Sequence, residues 1–393
     1  MHLSNRQLFL QHVAQTSPAP VGLEIVSANG VKMKDVNGKE YVDLISGISV
    51  SNVGHCHPQV VAAINKQAST YMHLMVYGEY IQSPQVELAE ALTGLLPQKL
   101  NSVYFVNSGS EATEGALKLA KRYTGRGELI SFKDSYHGST HGALSIMGSE
   151  VYKTNYRPLL PEVLNLEYNK EEELKQITEK TACVVAEVVQ SEAGVIAARP
   201  EFLQKLKERC HEVGALLVFD EVQTGFGRTG SFFAFEQYGI APDILTLGKG
   251  MGGGMPIGAF VASYEMMQKL TENPVLGHMT TFGGHPVCCA AALANLKIIK
   301  DGKLYNRAKE IEAIVKQELK HPKIKEIRAH GALIGVDFGS ETTNMGTIKN
   351  CIENGVVTDW FLFNPWSMRI APPLTITDEE LKAACKTIVQ AIA

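Results

Sequence analysis

The chain reads as an α/β protein in which a parallel sheet carries helices on its faces, with a smaller α+β domain built from the two ends of the chain. Three observations predict this. Short β-branched or aromatic runs alternate with helical patterns through the middle of the sequence: SVYFV at 102–106, ELISF at 128–132, CVVAEVV at 183–189, ALLVFD at 215–220 and DILTLG at 243–248. Between them lie EATEGALKLAKRYTG and EFLQKLKERCHEVG, the order of a βαβ array. At 393 residues the chain is too long for one simple core. From Asp301 onward the character changes to an amphipathic helix, short strands and a closing helix.

The N-terminal stretch MHLSNRQLFLQHVAQTSPAP mixes Asn5, Arg6, Gln7 and His12 into its apolar positions, which is not the pattern of a signal peptide. VKMKDVNGKEYVDL follows, a hairpin pattern about the Asn37-Gly38 turn. Residues 1–50 are expected to join the small domain, 51–295 to form the large domain, and 296–393 to complete the small one. In the tail, LYNRAKEIEAIVKQELK reads as a helix and KEIRAHGALIGVDFG as strands, before MRIAPPL and the last helix.

Composition narrows the function. A net charge of -4 gives no basic excess to suggest nucleic acid or an anionic membrane as the main partner. No apolar run reaches the ~18 residues of a membrane span. The odd count of 7 cysteines, mostly inside apolar runs, is the usage of a reducing cytoplasm and predicts free thiols. A small-molecule substrate is the default.

In a parallel sheet, ligands gather at the carboxyl ends of the strands, where loops converge and helix N-termini point inward. SVYFV is followed by Asn107-Ser108-Gly109-Ser110-Glu111, and ELISF by Lys133-Asp134-Ser135-Tyr136-His137-Gly138. ALLVF runs into Asp220, Glu221, Val222 and Gln223, and DILTL into Gly248, Lys249 and Gly250. A glycine-bearing anion nest, an aromatic ring, a carboxylate at a buried strand end and a lysine between glycines are the parts a phosphorylated aromatic aldehyde cofactor requires.

Taken together with NVGHCHPQVVAAI, NSGSEATEGALKLA, DSYHGST, EVVQSEAGV, FDEVQTGFGRTG, LTLGKGMGGGMPIGA, HMTTFGGHP and MRIAPPL, these residues resemble the class III aminotransferases of fold type I, from about Val21 to the C-terminus. This family acts on ornithine, acetylornithine and ω-amino acids. The resemblance implies a large domain with a mostly parallel sheet of seven strands, pyridoxal 5'-phosphate as cofactor, and a homodimer with shared active sites. It implies that Lys249 holds the cofactor as a Schiff base and then serves as the general base. Asp220 corresponds to the carboxylate paired with the pyridinium nitrogen, and Gln223 to the partner of the phenolic oxygen. Val222 and Tyr136 correspond to the residues on the two ring faces. Ser108, Gly109 and Ser110 fall at the phosphate-binding helix start, and Thr281 at the hydroxyl that reaches the phosphate from the neighbouring subunit. His137 and Glu187 fall among the cofactor-binding positions, and Ile48, Tyr136, Glu192 and Arg369 at the substrate. Arg369 corresponds to the arginine that clamps an α-carboxylate, and Glu192 to the glutamate that neutralises it when no second carboxylate is bound.

The sequence departs from the family at three places. Acetylornithine and ornithine enzymes usually carry arginine after the aromatic-x-Gly step, where Ser139 stands here. A serine hydroxyl cannot replace a bidentate guanidinium, so the leading expectation is a donor needing less charge recognition, an ω-amine or ω-amino acid, with 2-oxoglutarate as acceptor in a ping-pong cycle. An acetylornithine or ornithine type is the alternative, and an aminomutase or decarboxylase of the same fold another. His285 replaces the commoner asparagine of GGNP, and Ser191 the commoner glycine of QGEGG.

Outside the family, single residues have plainer readings. Asp220 alone is a strand-end cap, Tyr136 core packing, Arg369 a surface ion pair and Thr281 a turn hydroxyl. Gly248 to Gly253 matches G-x-G-x-x-G formally, but no acidic strand end follows at the distance a dinucleotide site needs. His55, Cys56 and His57 cannot all face one ion from a regular element, and His137 with His141 lacks a carboxylate at motif spacing, so no metal site is expected.

Overall fold

The computed structural model describes residues 3–393. Its central sheet has seven strands, in the order Ser102–Val106, Gly258–Ala262, Ile244–Leu247, Leu216–Asp220, Thr181–Glu187, Glu128–Phe132 and Val163–Leu166. Only Gly258–Ala262 runs antiparallel to its neighbours. Every residue of the three central strands is buried, as expected of strands covered on both faces. The five strands read from the sequence are present. The two others were not marked: Val163–Leu166 is a 4-residue edge strand, and Gly258–Ala262 emerges from a glycine-rich run that reads as loop.

The helix Gly109–Thr124 begins on Ser108, whose hydroxyl accepts from the Glu111 amide at 3.1 Å, and ends on Gly125 in the left-handed conformation. It carries Glu111 in its first turn and Lys121 and Arg122 in its last, matching the helix dipole. Its Gly115 meets the sheet so closely that a Cβ there would stand 2.2 Å from the Phe260 ring, so a side chain would push helix and strand apart. One core lies on the other face of the sheet, where Phe132, Phe202, Phe219 and Phe233 are fully buried. Each such side chain contributes about 1.5–3 kcal/mol.

The smaller domain draws on both ends of the chain. Glu326–His330, Leu333–Asp337, Asn364–Ile370 and Asp359–Phe361 form an antiparallel sheet with Leu304–Glu318, Glu341–Glu353 and Asp378–Ala391 as its helices. Ile25–Asn29, Lys32–Asp35 and Glu40–Asp43 form a second sheet, completed by Val356–Val357 pairing parallel with Glu40–Asp43. The hairpin turn lies at Asn37-Gly38, where Asp35 Oδ1 accepts from the amides of Asn37 and Lys39. The helix Pro286–Asp301 runs unbroken through the expected boundary at 295/296, and its Leu296 and Ile299 belong to the large core. That core therefore extends to the end of this helix. Asn5–His12 buries none of its side chains in the single chain. Arg228, fully buried, ties the two parts together: its guanidinium donates to Asn52 Oδ1 and to the carbonyls of Pro372 and Ala332. Among the described residues no helix is long and apolar enough to cross a membrane. Cys56 is exposed and the other cysteines are buried, all of them free.

Candidate active site

Parallel register sets the floor of the site. Asp220 and Glu187 end neighbouring strands and sit side by side in the ladder. Asp220 Oδ1 accepts from the Val222 amide at 2.9 Å, and Oδ2 lies 2.7 Å from His137 Nδ1. Burial pulls the His137 pKa down, but the hydrogen bond and charge of Asp220, with the charge of Glu187, outweigh it and leave the pKa raised. His137 Nε2 is buried without a partner. Burial pushes Glu187 up to about 7, although it accepts from the amides of Tyr136 and Ser191. Next in sequence to Asp220, Glu221 turns away, accepting from Thr224 Oγ1 and the amides of Ala234 and Phe235, and so shapes the loop.

Lys249 follows the strand Ile244–Leu247 by one glycine, with a left-handed φ of 43°. That conformation costs a non-glycine residue about 1–2 kcal/mol and aims the side chain where the straight strand would not. Its Nζ donates to Gln223 Oε1 at 2.7 Å. Enclosure by protein lowers its pKa, with Glu192 acting against and Arg369 adding to the fall. Gly248, Gly109 and Val222 crowd together: a Cβ on Gly248 would lie 3.1 Å from Gly109 Cα, and one on Gly109 would lie 2.5 Å from Val222 Cγ1. Gly138 likewise lies against Ser110, whose hydroxyl is 2.7 Å from Thr140 Oγ1.

These residues enclose a cavity of about 460 Å³ lined by Gly109, Ser110, Tyr136, His137, Glu187, Glu192, Asp220, Val222, Gln223 and Lys249. A second of about 430 Å³ shares Tyr136, Glu192 and Lys249 with it and adds Ile48, Asp359, Trp360, Leu362 and Arg369. The first suits pyridoxal phosphate. It has a helix start whose first amides lack intrahelical partners, two apolar walls in Val222 and Tyr136, a carboxylate, an amine, and a buried unpartnered Gln223 Nε2.

In the second cavity Arg369 Nη2 donates to Glu192 Oε2 at 2.8 Å and to the Trp360 carbonyl at 3.0 Å, while Nη1 has no partner. The guanidinium lies over the Phe361 ring at 4.7 Å. Burial works against the arginine's charge, but Glu192 and Asp359 outweigh it, and its pKa is raised. Glu192 Oε2 also accepts from the Leu362 amide at 2.9 Å. Asp359 Oδ1 approaches Arg369 Nε to 3.2 Å, an ionic contact whose angle is wrong for a hydrogen bond. Burial pushes Asp359 up to about 6, against the pull of Arg369. Sequence reading missed Asp359, Trp360 and Leu362, since nothing in TDWFLFNPW marks the hairpin that sets Asp359 opposite Arg369.

The remaining positions divide. Ile48 lines the second cavity with φ 65°. Ser108 lies behind the first as the helix cap. Thr281 is exposed and lines neither. Ser139 Oγ is 3.1 Å from the Tyr136 hydroxyl, Ser191 is buried beside Glu187, and His285 stacks on His73 at the start of Pro286–Asp301. The histidines weighed as ligands have other partners: His55 bonds Asp43, His57 caps a helix, and His141 reaches the Pro158 carbonyl. Among the described residues no three His, Cys, Asp or Glu side chains gather as around a metal ion.

The Aminotransferase class-III family matches residues 13–392. An acetylornithine aminotransferase of Methanocaldococcus jannaschii is 40% identical over 377 residues, 91% of this chain and 90% of that protein. One from Methanosarcina acetivorans is 38% identical over 381 residues, 94% of this chain and 91% of that protein. The structure of an ornithine aminotransferase from Toxoplasma gondii, described with partial occupancy of PLP at its active site, is 32% identical and superposes with a TM-score of 0.89 over 98% of this chain and 92% of that one. The sheet and its smaller domain are the fold type I arrangement that the resemblance implied. By a family match over nearly its whole length and by its similarity to these relatives, the chain belongs to the class III aminotransferases.

Proposed function

We propose that this chain moves the terminal amino group of an ω-amino acid of the acetylornithine and ornithine kind to 2-oxoglutarate in a ping-pong cycle, with pyridoxal phosphate as cofactor. The bound cofactor supplies an aldehyde that captures amines and a ring that accepts the electron pair from the amino-bearing carbon. The chain's own residues do the rest. Lys249 Nζ would hold the cofactor through its aldehyde carbon and, when free, would move the proton from the substrate's amino-bearing carbon to that cofactor carbon. A lowered pKa keeps that amine a usable base. Asp220, itself oriented by His137, would hold the proton on the ring nitrogen. The amides of Gly109 and Ser110 would hold the phosphate, Val222 and Tyr136 would cover the ring faces, and Gln223 would hold the phenolic oxygen.

The observation that carries the reading is the buried pair of Glu192 and Arg369 beside Lys249. Two different substrates must use one site in turn. A fixed arginine suited to glutamate would be left unpaired by the other donor, at a cost, unless a carboxylate of the chain takes the place. The names of the two archaeal relatives favour an acetylornithine-type donor over the ω-amine donor that Ser139 suggested. A homodimer, with Thr281 reaching the partner's phosphate, is part of the proposal; exposed Met72, Ile81, Met279 and Phe282 are apolar surface that a second copy would cover. The test is glutamate formation from 2-oxoglutarate with N-acetylornithine, ornithine and simple ω-amines. N-acetylornithine or ornithine should be preferred. A simple amine as best donor supports the reading from Ser139 instead, and no glutamate with any of them defeats both.

A further inference from the structure

We infer that Asp359 is a second, fixed counter-charge of Arg369 that sets how strongly the site holds a substrate carboxylate; this rests on reading Arg369 as the group that binds that carboxylate. Asp359 and Arg369 face each other directly in the antiparallel ladder, so their side chains leave the sheet on the same side. Asp359 meets the Nε edge of the guanidinium and Glu192 meets Nη2, which places two carboxylates on one arginine.

The two carboxylates are not equivalent. Glu192 accepts through one oxygen from Arg369 Nη2 and from the Leu362 amide. An entering carboxylate can accept both of those bonds, so Glu192 can be exchanged without orphaning a donor. Asp359 has no such exchange open to it. Its backbone is held by the ladder, and the preceding Thr358 is buried and bonded to the Arg369 carbonyl at 2.6 Å. When Glu192 leaves, Arg369 is still half-neutralised along Nε. A dicarboxylate therefore meets a weakened cation and a nearby like charge, whereas the ammonium end of a donor meets surplus negative charge. Asp359 thus biases the site away from holding glutamate and 2-oxoglutarate tightly, which favours release of the dicarboxylate and entry of the donor.

The experiment compares wild type, Asp359→Asn, Asp359→Ser and Arg369→Ala in single turnovers of each half-reaction, reading half-saturation and limiting rate separately. Both Asp359 variants should bind 2-oxoglutarate about ten-fold more tightly, the size of one unit charge a few ångströms away in a partly screened site. The limiting rate should stay within about two-fold, and half-saturation for the donor should not fall. Unchanged or weaker 2-oxoglutarate binding in either Asp359 variant, while Arg369→Ala loses that binding, would overturn the inference and leave Asp359 a structural residue. Full 2-oxoglutarate binding in Arg369→Ala would instead remove the reading of Arg369, and the inference with it.

Discussion

Replacing Glu192 by glutamine isolates the energetic step at the centre of the proposed exchange. In the wild type, an entering carboxylate must break the 2.8 Å bond from Arg369 Nη2 and the 2.9 Å bond from the Leu362 amide. The glutamine oxygen can still accept from both donors, as the single Oε2 does, but the bond to the guanidinium then has one charged partner in place of two. The attraction lost with the carboxylate charge is about 1 kcal/mol in water and about 4 at protein-like screening for charges ~4 Å apart, and the glutamine's retained hydrogen bond offsets part of it, so displacement becomes easier by about 1–2 kcal/mol. The side chains of Arg369 and Glu192 are only 3% and 9% exposed, so little of this is lost to solvent screening. Half-saturation for 2-oxoglutarate should therefore fall by roughly 5- to 30-fold. A donor with no carboxylate at this end should bind less well, because Asp359 alone then faces the arginine. Stopped-flow absorbance of the bound cofactor, recorded separately for each half-reaction, measures both effects. If both half-saturations move in the same direction by the same factor, or neither moves, Glu192 does not exchange with substrate.

Three further outcomes follow from the cofactor side. Gly109→Ala places a Cβ 2.5 Å from Val222 Cγ1, overpacking that costs about 1–3 kcal/mol and should weaken cofactor binding accordingly, with Val222→Ala restoring it in the double variant; unchanged affinity in a titration of cofactor-free protein refutes this account of the cradle. Asp220→Asn keeps an acceptor for His137 Nδ1 but loses the charge that holds the ring proton, so the chemical step should slow by about a hundred-fold or more with the thermal midpoint little changed, and turnover within a few-fold of wild type argues against the role. In cofactor-free protein the lowered pKa leaves more of Lys249 as neutral amine at pH 8 than an ordinary lysine has, so acetic anhydride should label Lys249 ahead of the protein's exposed lysines, as peptide mass spectrometry would record; the reverse order counts against an activated amine.

The difference between what could and could not be read from the sequence has a physical cause. Parallel strands deliver their carboxyl ends to one edge, so chain order alone brings together Ser110, Tyr136, Asp220 and Lys249, each within a few residues of a strand that its pattern reveals. The cofactor side of the site is therefore local information. The substrate side is not. Glu192 and Arg369 stand 177 positions apart, and their contact exists only because the loop after Val188 packs against the hairpin at 359–364. That hairpin has neither Asn-Gly nor glycine at its turn, and Asp359 became part of the site through its pairing with Arg369, which a run such as TDWFLFNPW does not announce. The same asymmetry bears on Ser139, which pointed to a donor other than the one the relatives' names favour. A lost arginine is visible in sequence, whereas the charge balance it belongs to includes Asp359, whose place beside Arg369 only the folded chain reveals. Chemistry can thus be legible where specificity is not: the residues proposed to hold the cofactor are fixed by the sheet, and those proposed to choose the substrate by the packing of segments far apart in the chain.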